Sequence, residues 1–393
     1  MCPEPFPDCR TVSGHISRRV AGYMKKIVFV LGAGFTRSFV NDAPLLKDKF
    51  SFKLLLRKFN ARDFPYAHHI LQMEDAKQQR DEQRVDLERL MTRLDGSMPY
   101  DYANRSLKEL DLLYQDIKLD FFQKFTNARA EQGDNLPPTL LAFADACVSH
   151  SIPCITFNYD DFLDQALYEI RKPLGQSASA SFPSDTYLNQ WNPLHGYGFY
   201  CEPAESCVYS GGLGAPDSSM FILKLHGSLN WRLRLGTPSP PPLSSVVHFE
   251  KWTYSNPSEK YLNTIERHLE PLQALILPVL FKSAITQSPV FRMVWTQAYE
   301  ELKNATHVYF IGYSFPATDI AARTLFDEAL QRLPLPVISI INYDEEGNAQ
   351  QQAAVKTTYR AVFSNLQDDQ FYFGGASSWV ETQLPTLISS LNN

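Results

Sequence analysis

The chain alternates short apolar runs with segments in which apolar residues recur every three or four positions. Runs of this length, bounded by Gly, Pro or polar residues, are typical of buried strands, and the spacing between them is typical of amphipathic helices. Strands that alternate with helices favour a mostly parallel sheet. The pattern therefore predicts an α/β fold with a doubly wound parallel sheet. The apolar runs occupy residues 26–31, 153–157, 220–225, 274–281, 307–311 and 336–341.

Two stretches interrupt this alternation and predict insertions. Residues 45–135 are mainly helical in pattern and follow the first predicted strand. Residues 171–220 are rich in Ser, Pro and Gly, which predicts a long loop with room for a hairpin over Cys201–Tyr209. We therefore expect one domain over residues 24–393 that contains both insertions. Residues 1–23 are interpreted as a flexible arm, and an upstream start codon before Met24 is the alternative.

Composition and charge exclude several classes of function. The formal net charge of -6 gives no sign of a nucleic-acid-binding surface. No apolar run is long enough to span a membrane, and the start of the chain lacks the apolar core of a signal peptide. The six cysteines form no C-x-x-C pair, so a structural zinc site is not predicted. We interpret them as reduced thiols of a cytoplasmic protein.

The first apolar run ends in Gly32-Ala33-Gly34, a pattern typical of a strand that turns sharply into a helix. Because glycine has no side chain, a phosphate can approach the backbone there and bind the N–H groups of the first helical turn. A tight turn without a ligand is the alternative interpretation. Arg37 replaces the third glycine of G-x-G-x-x-G, and the residues that follow resemble a helix rather than a second strand. A hydride-transferring dehydrogenase is therefore disfavoured.

Polar residues follow five of the predicted strands at the point where each strand ends. The carboxyl ends of parallel strands meet at one edge of a sheet, and open α/β sheets bind their ligands beyond that edge. Each tip alone is compatible with a helix cap or a turn. All five together predict a ligand site. The tips are Gly32-Ala33-Gly34, Asn158-Tyr159-Asp160, His226-Gly227-Ser228, Gly312-Tyr313-Ser314 and Asn342.

The order of these motifs resembles the sirtuin fold, and is closest to the NAD-hydrolysing sirtuin-like proteins of bacterial antiphage defence. The motifs are G-A-G, T-x-N-Y-D, L-H-G-S, I-G-Y-S and I-N, and the resemblance runs from about Lys26 to Ile388. Leu277-Pro-Val-Leu-Phe281 lies where that fold has an R-P-x-x-V-x-F strand, with Leu277 in place of the arginine. Sirtuin deacylases carry a zinc ribbon between these motifs, and this chain lacks that cysteine set. The resemblance therefore implies a sirtuin-like sheet without a zinc ribbon and without a metal.

The resemblance implies roles for the matched residues, with NAD⁺ as the substrate. Asn158 would hold the nicotinamide ribose and the attacking water, Asp160 would support that ribose or orient Asn158, and His226 would be the general base. A second His-Gly pair, His195-Gly196, lacks a preceding apolar strand and is interpreted as structural. The residues expected to bind the rest of the dinucleotide are Gly32, Ala33, Gly34, Phe35, Thr36, Ser228, Gly312, Ser314 and Asn342.

These side-chain types suit cleavage of the nicotinamide–ribose bond. The leaving group is already cationic and needs no acid, so the reaction requires a positioned ribose, an oriented water and a weak base. Imidazole is a base near neutral pH, and an amide can donate and accept hydrogen bonds together.

Three functions compete at this stage. The first is an NAD⁺ hydrolase that yields nicotinamide and ADP-ribose and acts as a toxic effector of phage defence. The second is a non-catalytic NAD⁺ or ADP-ribose sensor that controls a partner, and the third is a zinc-free protein deacylase. Because a toxic NAD⁺ hydrolase without its own sensor domain must be restrained, we expect a homo-oligomer or a partner. The resemblance implies a HerA-like ATPase, an Argonaute-like protein or a phage component as the activator.

Overall fold

The structure is a computed structural model of the chain. Several sequence expectations lie outside the residues that it describes: the arm at 1–23, most of the loop at 171–220, His195 and the segment 277–281. The described residues are 25–41, 43–45, 52–81, 90–91, 93–94, 104–132, 135–170, 191, 196–199, 202–203, 220–234, 248–249, 272–276, 289–316, 319–344 and 347–391.

The described residues form strands in two sheets and helices that pack around them. The strands are β1 (Ile27–Leu31), β2 (Cys154–Thr156), β3 (Glu202–Pro203), β4 (Ile222–Lys224), β5 (Gly227–Arg234), β6 (His248–Phe249), β7 (Leu272–Ile276), β8 (His307–Ile311), β9 (Val337–Ile341) and β10 (Phe371–Tyr372). The helices are α1 (Ala33–Phe39), α2 (Lys53–Lys58), α3 (Pro65–Asp81), α4 (Asn104–Gln132), α5 (Pro138–Ser149), α6 (Phe162–Glu169), α7 (Pro289–Asn304), α8 (Ile320–Leu330), α9 (Ala349–Arg360), α10 (Gly375–Thr382) and α11 (Leu384–Ser389).

Six strands form a parallel sheet in the order β10-β9-β8-β1-β2-β4. The chain runs outward from the central strand β1 to β2 and β4, and then returns to the other side of β1 with β8, β9 and β10. The strand order therefore reverses next to β1. In open α/β sheets the crevice beyond the carboxyl ends of the strands at such a reversal is where ligands bind.

Helices cover this sheet on both faces, as the aromatic contacts of two residues on the neighbouring strands β1 and β8 demonstrate. On one face the ring of Phe29 contacts that of Phe143 in α5, with 5.1 Å between centroids. Tyr309 of β8 pairs with Phe29. Because side chains alternate along a strand, the next residue, Phe310, points to the opposite face. There it contacts Phe326 of α8 at 5.0 Å and Tyr359 of α9 at 5.5 Å. The prediction of a doubly wound parallel sheet is confirmed.

The helical pattern after β1 corresponds to α2, α3 and α4, which lie between α1 and α5 along the chain. The buried carboxylate of Glu109 on α4 accepts hydrogen bonds from the backbone N–H groups of Tyr66 and Ala67 at 2.9 and 3.1 Å. It thereby satisfies donors that the first turn of α3 leaves without helical partners. The predicted helical insertion is present, and its outer limits at residues 45 and 135 stay a prediction.

A second sheet, which the sequence analysis did not predict, contains four strands in the order β3-β6-β5-β7. The apolar run that begins at Ala274 contributes β7 to this sheet, and β7 pairs antiparallel with β5. Their register shifts between Ser228 and Arg232, which leaves a bulge in β5 whose residues, including Asn230, are buried. β5 begins three residues after β4 ends, so His226 lies at the corner between the two sheets.

Candidate functional site

The sequence-predicted residues lie at the carboxyl edge of the parallel sheet. Gly32 follows β1, Gly312 follows β8 and Asn342 follows β9, each directly after the last strand residue. Asn158 and His226 each lie two residues beyond the ends of the neighbouring strands β2 and β4. Because the last residues of β2 and β4 pair in register, Asn158 and His226 occupy adjacent positions at this edge.

The side-chain amide of Asn158 joins the end of β2 to the turn after β1. Its Nδ2 donates to the carbonyl of Gly32 at 2.9 Å and to the hydroxyl of Thr36 at 3.0 Å. Because a carbonyl can only accept, the Gly32 contact decides which end of the amide is nitrogen. The other end, Oδ1, is buried and has no hydrogen-bond partner among the described residues. A buried acceptor without a partner costs roughly 1–3 kcal/mol, and a donor from a ligand would satisfy it.

The hydroxyl of Thr36 connects Asn158 to Asp160. It accepts from Asn158 and donates its one proton to Oδ2 of Asp160 at 2.9 Å. Oδ1 of Asp160 accepts the backbone N–H of Phe162, the first residue of α6, at 3.3 Å. The result is a directed chain of hydrogen bonds that begins at the amide of Asn158 and ends at a carboxyl group.

Burial raises the pKa of Asp160 from its ordinary value of 3.8 to about 6. The positive charge of Lys224 and the hydrogen bond from Thr36 lower this pKa, whereas the negative charges of Asp161 and Asp164 raise it further. A carboxyl group with this pKa changes its protonation state close to neutral pH. Such shifted groups are frequent at functional sites, although buried ion-pair networks produce them as well.

His226 lies beside both chain neighbours of Asn158. The centroid of its ring is 5.0 Å from that of Phe157 and 6.0 Å from that of Tyr159. Its Nε2 is 3.1 Å from Oδ2 of Asp319, and the two side chains are 5% and 2% exposed. A buried imidazole–carboxylate pair therefore lies against the two chain neighbours of Asn158.

The sequence pattern predicts a helix over residues 319–330 but does not indicate that Asp319 is a site residue. Asp319 is the N-cap of α8, and its Oδ1 accepts from the N–H of Ala322 at 3.2 Å. An aspartate before a helix is a recognisable capping signal. Its contact with His226 was not recognisable, because 93 positions of sequence separate the two residues.

The glycines of the first turn pack against the turn after β8. The N–H of Gly34 donates to the carbonyl of Gly312 at 2.9 Å. A Cβ added to Gly32 would lie 2.5 Å from the Cα of Tyr313, and one added to Gly312, where φ is +63°, would overlap the backbone of Gly34. Backbone packing therefore explains why glycine is required at these positions without a phosphate. Their role in binding a dinucleotide stays a prediction.

The side chain of Phe35 is part of the core rather than of the exposed edge. Its ring contacts Phe39 and Phe143 at centroid distances of 4.9 and 4.8 Å. Its backbone N–H donates to the carbonyl of Gly32 at 2.8 Å, and the neighbouring Ala33 is half-buried. The turn is thus anchored from below by an aromatic cluster.

The remaining predicted residues differ in accessibility. Ser314 is exposed and Asn342 is half-buried, so both border the outer surface of the edge. Ser228 is fully buried, and its hydroxyl donates to the side-chain oxygen of Asn230 at 2.5 Å. Hydrogen bonds therefore join Gly32, Thr36, Asn158 and Asp160 into one cluster. His226 lies at the neighbouring strand end against Phe157 and Tyr159, and Ser228 belongs to the protein interior.

A buried ion pair supports this cluster from below, and the sequence analysis missed it. Nζ of the fully buried Lys224 donates to the carbonyl of Asp160 at 2.5 Å and lies 3.2 Å from Oδ2 of Asp164. The hydroxyl of Tyr197 donates to Asp164 at 2.6 Å and accepts from Asn230 at 3.2 Å. The signal in the sequence was a single lysine within the apolar run of β4.

Within the described ranges, no group of three or more His, Cys, Asp and Glu side chains is arranged to hold a metal ion. Among the helices with described residues, none combines the length and the apolar character that a membrane span requires.

No protein-family model and no curated protein matches this chain. Among solved structures it resembles Sir2 proteins. A complex of a Sir2 homologue with NAD is 14% identical, covers 93% of this chain and 91% of its own, and has a TM-score of 0.40. A structure that concerns the mechanism and regulation of Sir2 enzymes is 11% identical, covers 94% of this chain and 93% of its own, and has a TM-score of 0.37. A Sir2 homologue with ADP-ribose is 15% identical, covers 87% of this chain and 95% of its own, and has a TM-score of 0.36.

Proposed function

We propose that this protein is an NAD⁺ hydrolase that cleaves the nicotinamide–ribose bond and releases nicotinamide and ADP-ribose. The observation that carries the proposal is Oδ1 of Asn158, a buried acceptor without a partner among the described residues. The amide cannot rotate away without losing its hydrogen bonds to Gly32 and Thr36. A ribose hydroxyl or a water molecule supplies the donor that this oxygen lacks.

His226 is the base in this proposal. The cationic nicotinamide leaves as a neutral molecule, a water oxygen becomes bonded to the ribose carbon, and one proton of that water is released. An imidazole takes up such a proton near neutral pH. The ring of His226 lies beside the neighbours of Asn158, which supports action in the same step. The nearby carboxylate of Asp319 stabilises the charge that the ring gains.

The site lies where the strand order reverses next to β1, which supports a dinucleotide as the substrate. In the proposal the turn Gly32–Thr36 binds the pyrophosphate and the adjoining ribose. Gly312, Ser314 and Asn342, on the other side of β1, bind the adenosine part. Ser228 and the ring of Phe35 act indirectly, because their side chains are buried below the edge.

The biological context is proposed from the motif resemblance alone. In it the protein is a cytoplasmic effector of antiphage defence that depletes NAD⁺. It is assembled as a homo-oligomer and restrained until a partner or a phage component activates it.

The experiment is an NAD⁺ cleavage assay on the full chain, alone and with the candidate activators, with the products separated by chromatography. We expect equal amounts of nicotinamide and ADP-ribose from the wild type. Asn158→Ala and His226→Ala should each lower kcat by roughly 100-fold or more, since each removes a group that acts on the reacting water or ribose. The matched controls Asn365→Ala and His69→Ala change exposed residues of the same types and should retain the wild-type rate.

Two results would replace this proposal with one of its competitors. Binding of NAD⁺ without turnover under every activating condition, with the same affinity in His226→Ala, would identify a sensor. Loss of an acetyl group from an acetyl-lysine peptide that requires NAD⁺ would identify a deacylase.

A further inference from the structure

Two contacts of the Asp319 carboxylate differ in kind. Oδ1 accepts from the N–H of Ala322 and caps α8, while Oδ2 lies 3.1 Å from Nε2 of His226. An ionised carboxylate only accepts hydrogen bonds, so Nε2 must be the donor. In the neutral ring of His226 the proton is then on Nε2, and Nδ1 is the basic nitrogen.

We propose that Asp319 is a positioning residue that sets the tautomer and the orientation of His226, so that Nδ1 takes up the proton during NAD⁺ hydrolysis. The catalytic part of this inference rests on the proposed function. The tautomer of His226 is a property of the protein without substrate and is measurable independently.

The backbone around Asp319 is anchored, so its carboxylate is well placed to orient a second group. The N–H of Asp319 donates to the carbonyl of Pro316 at 3.2 Å. The guanidinium group of Arg323 donates to the same carbonyl at 3.2 Å and to that of Phe315 at 2.9 Å. The N-terminus of α8 also favours a negative charge on the capping side chain. These contacts explain how one residue can keep its carboxylate in a single place.

The backbone around His226 is anchored as well. The indole N–H of Trp295 donates to the carbonyl of Leu225 at 3.0 Å, and Gly227 turns the chain with φ of +82°. The imidazole lies between β4 and β5 and reaches the start of α8, on the other side of the strand reversal. A carboxylate that fixes an imidazole in this way determines which nitrogen faces the reacting atoms.

Asp319→Asn tests the inference with little change in shape. The asparagine oxygen can still cap α8, but its amide nitrogen now donates to Nε2, which requires the proton on Nδ1. In ¹⁵N-histidine-labelled protein, couplings between the ring nitrogens and ring protons distinguish the two tautomers. The signals of His226 are identified by their loss in His226→Gln. We expect an Nε2–H ring in the wild type and an Nδ1–H ring in Asp319→Asn, with kcat lowered by roughly 10²- to 10⁴-fold and KM little changed.

Two further variants separate positioning from capping. Asp319→Ser retains a capping oxygen but is too short to reach the imidazole, so it should lower kcat while leaving the melting temperature nearly unchanged. Asn348→Ala removes the N-cap of α9, whose side chain accepts from the N–H of Gln351, and should lower the melting temperature without affecting kcat.

An Nδ1–H ring in the wild type would overturn the inference. So would a tautomer that stays the same in Asp319→Asn, or a reversed tautomer with unchanged kcat. A wild-type protein that does not cleave NAD⁺ but shows the tautomer reversal would overturn the proposed function, and would still support control of the His226 tautomer by Asp319.

Discussion

Replacing Thr36 by valine removes one hydroxyl from the middle of the hydrogen-bond chain at the site. Valine has the same branched shape, so packing on α1 is retained. The hydroxyl accepts from Asn158 at 3.0 Å and donates to Asp160 at 2.9 Å. After the substitution, one amide hydrogen of Asn158 and one carboxyl oxygen of Asp160 lose these partners in a buried environment. The protein should therefore be less stable, and the loss should depend on pH.

The pH dependence follows from the pKa of Asp160, which burial above all raises from 3.8 to about 6. The folded state binds this proton more tightly than the unfolded state, so the associated stability is present below the ordinary pKa and is lost as the pH rises through about 6. The Thr36 hydrogen bond lowers this pKa, and removing it raises the pKa further. Stability should therefore fall more steeply with pH in Thr36→Val than in the wild type.

The magnitude follows from the charge of the acceptor. A hydrogen bond to a neutral group contributes about 0.5–1.5 kcal/mol and one to a charged group about 1.5–3 kcal/mol. At about pH 5 most Asp160 carboxyls are protonated, and we expect a loss of ~1–2 kcal/mol. At about pH 8 the carboxylate is ionised, and we expect a loss of ~3 kcal/mol.

Urea unfolding followed by circular dichroism at both pH values measures these losses. Taking variant minus wild type at each pH cancels the contributions of other titrating groups. Thr36→Ser is the matched control, because it keeps the hydroxyl and removes only a methyl group. The reasoning is refuted if Thr36→Val costs the same at both pH values, or if Thr36→Ser shows the same pH-dependent loss.

Two further predictions concern the supports of the site, both measured by urea unfolding. Gly312→Ala should cost roughly 3 kcal/mol or more, because its Cβ overlaps the backbone of Gly34. Gly347 also has a positive φ, but no atom lies within 4 Å of an added Cβ, so Gly347→Ala should cost only roughly 1–2 kcal/mol. Equal losses of stability in Gly312→Ala and Gly347→Ala would contradict the packing argument. Lys224→Met should cost roughly 3–5 kcal/mol, because it leaves the buried carboxylate of Asp164 without a positive charge beside it. Adding Asp164→Asn should recover part of that loss, and no recovery would contradict the importance of the ion pair.

Much of the fold was predictable because its signals are local. The apolar runs of β1, β8 and β9 and the polar residues after them are visible in stretches of a few residues. The second sheet was not predictable in the same way. Its strands β3 and β6 have two residues each, and β5 carries a bulge that breaks the alternation on which strand recognition depends.

The residues of the site were predictable from local sequence, whereas the contacts between them were not. The sequence identified Asn158, Asp160 and His226 as candidates, because a polar residue at the carboxyl end of a buried strand is a local and recognisable feature. It could not reveal that Thr36 links Asn158 to Asp160. Thr36 is separated from Asn158 by 122 positions of sequence and from Asp160 by 124 positions.

Residue type and local spacing were thus sufficient for the α/β class, for the edge at which chemistry is expected and for the side chains proposed to perform it. The pairing of those side chains required the folded chain. Thr36 with Asp160, His226 with Asp319 and Lys224 with Asp164 are contacts between elements that the sheet order brings together. The physical reason is that hydrogen bonds and buried charges act only over a few ångströms, whereas a sequence specifies proximity only along the chain.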